Sequence, residues 1–224
     1  AIRVALGEVP PRAEPRWART SAERAVVSIP GVLREVRGVY EAREVAGLEE
    51  LFVARSPGDT LRFPRNNVEK VGNAIAADSE RRRAAAAAEL AVSLVEAVLV
   101  PNDERTDAFL FGSVESRPPE YAHRAFSVGV APARDVSLTR LRAKGPTRPE
   151  VSVPESIAVH AGRDWSYRTI GETLDRLESS GACRVRVTSS PARARDPLSR
   201  VVVAALVKGG LQGARYALDS IRAR

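Results

Sequence analysis

The stretch SYRTIGETLDRLESSGACRVRVTSS, residues 166–190, leaves little freedom of local structure. Ser166 stands where a helix cap is needed, Ile170, Leu174 and Leu177 recur at helical spacing, and Gly181 can end the helix. Arg168–Glu172 and Glu172–Arg176 are i,i+4 pairs expected on its solvated face. Beyond the glycine, Cys183, Val185 and Val187 alternate with Arg184 and Arg186, the period of a strand with its apolar side inward. Upstream, ESIAVHAG reads as another strand, with Ile157, Val159 and Ala161 on one side. Two strands joined through a helix of this length predict a right-handed parallel crossover.

The rest of the chain is read outward from that unit. Residues 1–19 open with IRVALG and continue as PPRAEPRW, a proline-rich extended arm. TSAERAVVS carries Thr20 or Ser21 as an N-cap with Glu23 behind it, VLREVRGVYEAREV suits helix and strand equally, and GLEELFVA is a short helix candidate. Residues 66–100 read as one long helix, or two joined near Gly72. Asn66 caps it, and Val68, Val71 and Ile75, then Leu90, Leu94, Val95 and Val98, form its stripe. Glu89 and Glu96 make it a packed helix rather than a membrane one, and no run reaches the roughly eighteen apolar residues of a membrane span. AFLFGSV (108–114) and RAFSVGVA (124–131) look like strands, and DVSLTRLRAK like a short helix. The C-terminal segment predicts a helix from about Leu198, weakened or broken at Gly209 and Gly210.

Charge is distributed unevenly. From Gly181 to Arg224 there are nine basic and two acidic residues, while residues 1–180 are neutral. The basic segment suits an acidic protein partner, a nucleic acid or an anionic membrane surface. Arg200, Lys208, Arg215, Arg222 and Arg224 are its candidate contact residues. Lys208, Arg215, Arg222 and Arg224 are expected to stay in water while Val202, Leu206 and Leu218 pack inward. Only Lys70, Lys144 and Lys208 are lysines, a bias that fits codon usage better than arginine chemistry. No methionine occurs, so the chain is expected to lack its native start.

No catalytic, cofactor or metal site is legible. Cys183 with His160 or His123 would be the nucleophile and base, but Cys183 falls on the inward side of its strand, where cysteine acts as a small apolar residue. Two histidines 37 residues apart and one cysteine do not supply the ligands of a zinc site. KGGLQGAR has glycines but not the spacing of a phosphate-binding loop. A single cysteine forms no internal disulfide and leaves the redox compartment open. No small-molecule substrate is evident.

Residues 107–190 resemble the extramembrane domain of the TolR/ExbD proteins, partners of proton-driven envelope motors. The resemblance rests on a strand pair, DVSLTRL, the strand SIAVHAGRD, and then WSYRTIGETLDRLESSGACRVRVTS. It implies that Asp164 closes a polar turn, that Tyr167 leads the helix, and that Gly181 and CRVRVTS complete the fold. The family's N-terminal membrane helix with its proton-handling aspartate has no counterpart here, so the resemblance implies the fold and not the motor.

These observations predict an α+β protein with an extended arm (1–19), a mostly helical region (20–104), a small α/β two-layer sandwich (105–192) and a basic C-terminal helix (193–224). The function expected is a non-enzymatic structural or scaffold subunit of a homo- or hetero-oligomeric assembly. The alternatives are a basic subunit of a nucleic-acid-containing particle and an enzyme with an unrecognised site. The resemblance implies a periplasmic or membrane-associated location; without it the expectation is cytoplasmic.

Overall fold

The computed structural model describes residues 2–9, 18–112, 119–129, 141, 148–190 and 196–223. The protein is an α+β fold. Its elements in chain order are α1 (Ile2–Ala5), β1 (Thr20–Val26), β2 (Gly31–Arg37), α2 (Val39–Arg43), β3 (Leu48–Val53), β4 (Thr60–Leu61) and β5 (Gly72–Asp78). There follow α3 (Arg81–Leu94), β6 (Glu96–Leu99), α4 (Glu104–Phe111), a 3-10 turn (Pro119–Ala122), β7 (Glu150–Pro154), α5 (Glu155–Ala158), α6 (Ile170–Ser179), β8 (Arg184–Thr188) and α7 (Pro197–Arg222).

Residues 20–78 are rich in strand where helices were expected. β1, β5 and β3 form an antiparallel sheet in that order, and β4, β2 and β6 a second one. The helix expected over 66–100 is instead strand, helix, strand. In β5, Gly72, Ala74 and Ala76 are buried while the residues between them are less so, a period of two that alanine's high helix propensity hides. Gly72 also lies so close to its neighbour that a Cβ there would meet the Phe52 carbonyl oxygen at 2.0 Å. The helical part is α3, whose buried stripe is Ala84, Ala88, Ala91 and Val92; Leu90 faces out. Small side chains on that face let the helix lie close over β1 and β5.

The second half differs in its details. Residues 108–111 are the end of α4, not a strand; Asp103 caps that helix by accepting from the Arg105 and Thr106 N–H groups. The segment 124–129 is irregular, and the strand expected over 155–162 is the short helix α5 and a turn. The strand precedes it: β7 pairs in parallel with β8, joined through α6. Ile170, Leu174 and Leu177 are the buried face of α6, as their spacing predicts, but the cap is Thr169, in a reciprocal capping box with Glu172. The inward alternation holds for Cys183 and, partly, for Val185 in β8 but not for Val187, which is half exposed. Most of the helix expected over 135–144, the arm over 10–17 and Arg224 lie outside the described residues.

α7 organises the whole. Twenty of its 26 residues are buried, which makes it the spine of the core rather than a surface helix. Gly210, at φ 61 and ψ −150, breaks it where the paired glycines suggested. Gln212 ties it to the first half: Nε2 donates to Ser28 Oγ (2.8 Å) and the Ala97 carbonyl (2.7 Å), and Oε1 accepts from the Ile29 N–H (2.9 Å). At its start, Ser199 Oγ accepts from the Ser152 N–H of β7 (2.8 Å). Among the described residues, no helix is long and apolar enough to cross a membrane.

Candidate functional site

Two clusters of polar side chains lie near the break in α7. The first is internal. Glu96 leads β6, and its carboxylate is paired with the Arg215 guanidinium on α7; the two side chains are 4% and 6% exposed. Arg215 also donates to Ser180 Oγ at 3.0 Å. Beside them, the turn 163–168 folds inward. Asp164 Oδ1 accepts from the Ser166 N–H (2.8 Å) and the Arg168 N–H (3.0 Å), and Arg168 sends its Nη2 to the Val95 carbonyl (2.9 Å). Tyr167 takes a left-handed φ of 63 to make this turn. Asp164 thus does shape the turn, while Arg168, expected on a wet helix face, is buried.

Burial pushes the Asp164 carboxyl above its ordinary range, against the two N–H groups and the Arg168 guanidinium, which favour the charged form; burial likewise lowers Arg168. The cleft against this cluster, lined by Glu96, Asp164, Arg168 and Gln212 among others, measures about 10 Å³. That is room for about one water, too little for a substrate. The cluster is therefore a buried joint between β6, the 163–168 turn and α7.

The second cluster borders a larger cleft of about 160 Å³, lined by Pro30, Thr60, Leu61, Arg62, Arg105, Glu120 and Tyr121. Four segments meet there. Phe63 anchors the loop after β4, stacking on His123 (4.6 Å between ring centres) and meeting Trp165 edge-on (5.0 Å). That anchor fixes Arg62 on one side and Arg65 on the other. α4 supplies Arg105, whose Nη1 lies 3.4 Å from Thr60 Oγ1. The 3-10 turn supplies Glu120 and Tyr121. Glu120 is 12% exposed, and its Oε2 is buried without a hydrogen-bond donor; Arg65 Nε stands 3.7 Å away. Sequence reasoning missed this cleft, because its residues are spread from position 30 to 121 and form no local motif.

Among the described residues, the candidate contact residues of the basic segment do not gather on one surface. Arg215 is buried in the first cluster, which corrects the expectation that it stays wet: the carboxylate of Glu96 lies opposite it on β6 and satisfies it there. Lys208 is half-buried, 4.8 Å above the Phe109 ring and donating to the Tyr121 carbonyl; burial, then Arg124, lowers its pKa to about 8. Arg222 is partly buried and donates to the Ala182 and Gly181 carbonyls. Arg200 is half-buried near the start of α7. Val202, Leu206 and Leu218 do pack inward. Cys183 is fully buried, and burial pushes its thiol up to about 11. His160 packs edge-on against Phe126 and His123 on Phe63. Among the described residues there is no grouping of His, Cys, Asp and Glu that could hold a metal ion.

Residues 24–100, about a third of the chain, match the family model described as L-amino acid ligase C-terminal domain 2. No curated protein and no solved structure matches. The match begins within β1 and ends just beyond β6, so it coincides with the two antiparallel sheets and α3. It overturns the TolR/ExbD resemblance, and with it the non-enzymatic scaffold and the expectation that the chain has no part in an enzyme. Of the segments 108–114 and 155–162, read as strands for that resemblance, residues 108–111 are the end of α4 and residues 155–158 form α5.

Proposed function

We propose that this chain is a C-terminal module of an ATP-dependent amino-acid ligase, an enzyme that joins the carboxylate of one substrate to the amine of another. The observation that carries the reading is the family match to residues 24–100, which runs from the last three residues of β1 through β6. The enzyme alternative drawn from the sequence is the one this supports. The partner on this reading is the remainder of the ligase.

Among the described residues no cluster could hold the divalent ion that accompanies ATP. What the chain supplies is a shared core: α7 ties the ligase-like unit to the β7–α6–β8 unit through Gln212, Ser199 and the Glu96–Arg215 pair. The test is ADP release by the whole gene product carrying this chain, supplied with ATP, magnesium and mixtures of L-amino acids. The reading predicts release that depends on amino acids. ATP turnover indifferent to amino acids, or none with any of them, overturns it.

A further inference from the structure

The cleft between β4, α4 and the 3-10 turn carries charges that its own surroundings settle only in part: Arg62 acts at longer range on Glu69, and Glu120 has a long ion pair with Arg65. At about 160 Å³ it is roughly ten times the room one water needs. Arg62 and Arg105 line it, and among the described residues neither has a carboxylate within ion-pair distance. Arg105 has only the 3.4 Å contact to Thr60 Oγ1. Glu120 lines the same cleft, and its buried Oε2 accepts no hydrogen bond. Arg65 forms a long ion pair with it at 3.7 Å and is shared with Glu69, which holds it more closely at 2.8 Å. Buried carboxylate oxygens ordinarily take a donor.

This arrangement discriminates among ligands by charge. A simple anion would suit the two guanidinium groups but meet the negative Glu120. A simple cation would suit Glu120 but meet Arg62 and Arg105. A zwitterion with its two charges a few bonds apart satisfies both. A guanidinium matches a carboxylate with two parallel N–H donors, and an ammonium group brings three donors to an acceptor such as Glu120. Pro30, Leu61 and Tyr121 give the remaining wall apolar surface for a side chain.

We propose that this cleft binds a free amino acid as its zwitterion, with the α-carboxylate on Arg62 and Arg105 and the α-ammonium on Glu120. The choice of an amino acid over other zwitterions rests on the ligase reading; the charge pattern does not. The site would be a place where the module senses or holds the ligase's own class of substrate.

The test is ligand-observed NMR on the 224-residue chain with three probes: L-alanine, N-acetyl-L-alanine, which lacks the ammonium, and L-alaninamide, which lacks the carboxylate. L-Alanine is expected to bind at least tenfold more tightly than either analogue, and that comparison needs no variant. Arg62→Gln with Arg105→Gln should weaken L-alanine at least tenfold, as should Glu120→Gln. The two arginines are exposed, so a thermal melt should show the double variant folded. Equal binding of all three probes, no binding of any, or an unchanged affinity in the folded double variant overturns the proposal. Amino-acid-dependent turnover without binding here sinks the cleft alone. Binding here without such turnover sustains the cleft and sinks the ligase reading.

Discussion

At the scale of single residues, the buried joint decides most. Glu96 and Arg215 are both nearly out of water, so each depends on the other. Arg215→Ala would strand the Glu96 carboxylate and should destabilise the protein by about 3–5 kcal/mol in urea titrations, whereas replacing both by leucine should recover most of that loss. A single variant as stable as the parent would mean the pair is solvated. Asp164 gives a second test. Its folded carboxyl sits above the ordinary value of 3.8, chiefly through burial. Between those two values the folded chain holds a proton that the unfolded chain has lost. Asp164 therefore favours folding below its ordinary value, and that contribution disappears as pH rises through the raised folded one. Glu69 and Glu172, held low by their hydrogen bonds, change in the opposite direction. The comparison with Asp164→Asn isolates the effect: the variant should gain stability relative to the parent as pH climbs from about 3 to about 7. A difference that stays flat across that range would count against the burial of this carboxyl.

At the scale of elements, the break in α7 is the most exacting feature. Gly210 has a backbone geometry that residues with a Cβ rarely adopt, and a Cβ there would lie 2.5 Å from Asp164 Oδ2. Gly210→Ala should cost about 1–3 kcal/mol in chemical denaturation. If Gly210→Ala is neutral, α7 runs straight and the joint is differently built. This break was legible in the sequence, as were the buried stripe of α6, the strand β8, the inward packing of Cys183 and the burial of Val202, Leu206 and Leu218. Each is signalled by neighbours within one turn or one strand. The strands β1, β3 and β5 were not legible. In β5 the alternating buried positions are glycine and alanine, so the period of two is carried by small residues whose propensity points to a helix. The helix α4 was read as a strand because Phe109 and Leu110 dominate it; its cap, Asp103, lay outside the apolar run. The cap of α6 was misplaced by three residues because Ser166 and Thr169 are chemically alike and only the Glu172 partner separates them.

At the scale of the molecule, the fold class was within reach of the sequence and the function was not. The net charge of the C-terminal segment suggested a surface, yet α7 is the spine of the core, with Arg215 turned inward to a carboxylate more than a hundred positions away in sequence. Nothing local to Arg215 signals that pairing. The arginine cleft is likewise assembled from segments far apart in the chain. The ligase-like unit and the β7–α6–β8 unit share one core, so variants in α7 should disturb both together. The ligase reading is tested most directly by the products of the whole gene product incubated with ATP, magnesium and L-amino acids, read by mass spectrometry alongside ADP. It predicts a product lighter by one water than the sum of two substrates, formed in equal amount with ADP. ADP formed with no such product, or no reaction with any amino acid offered, would contradict it.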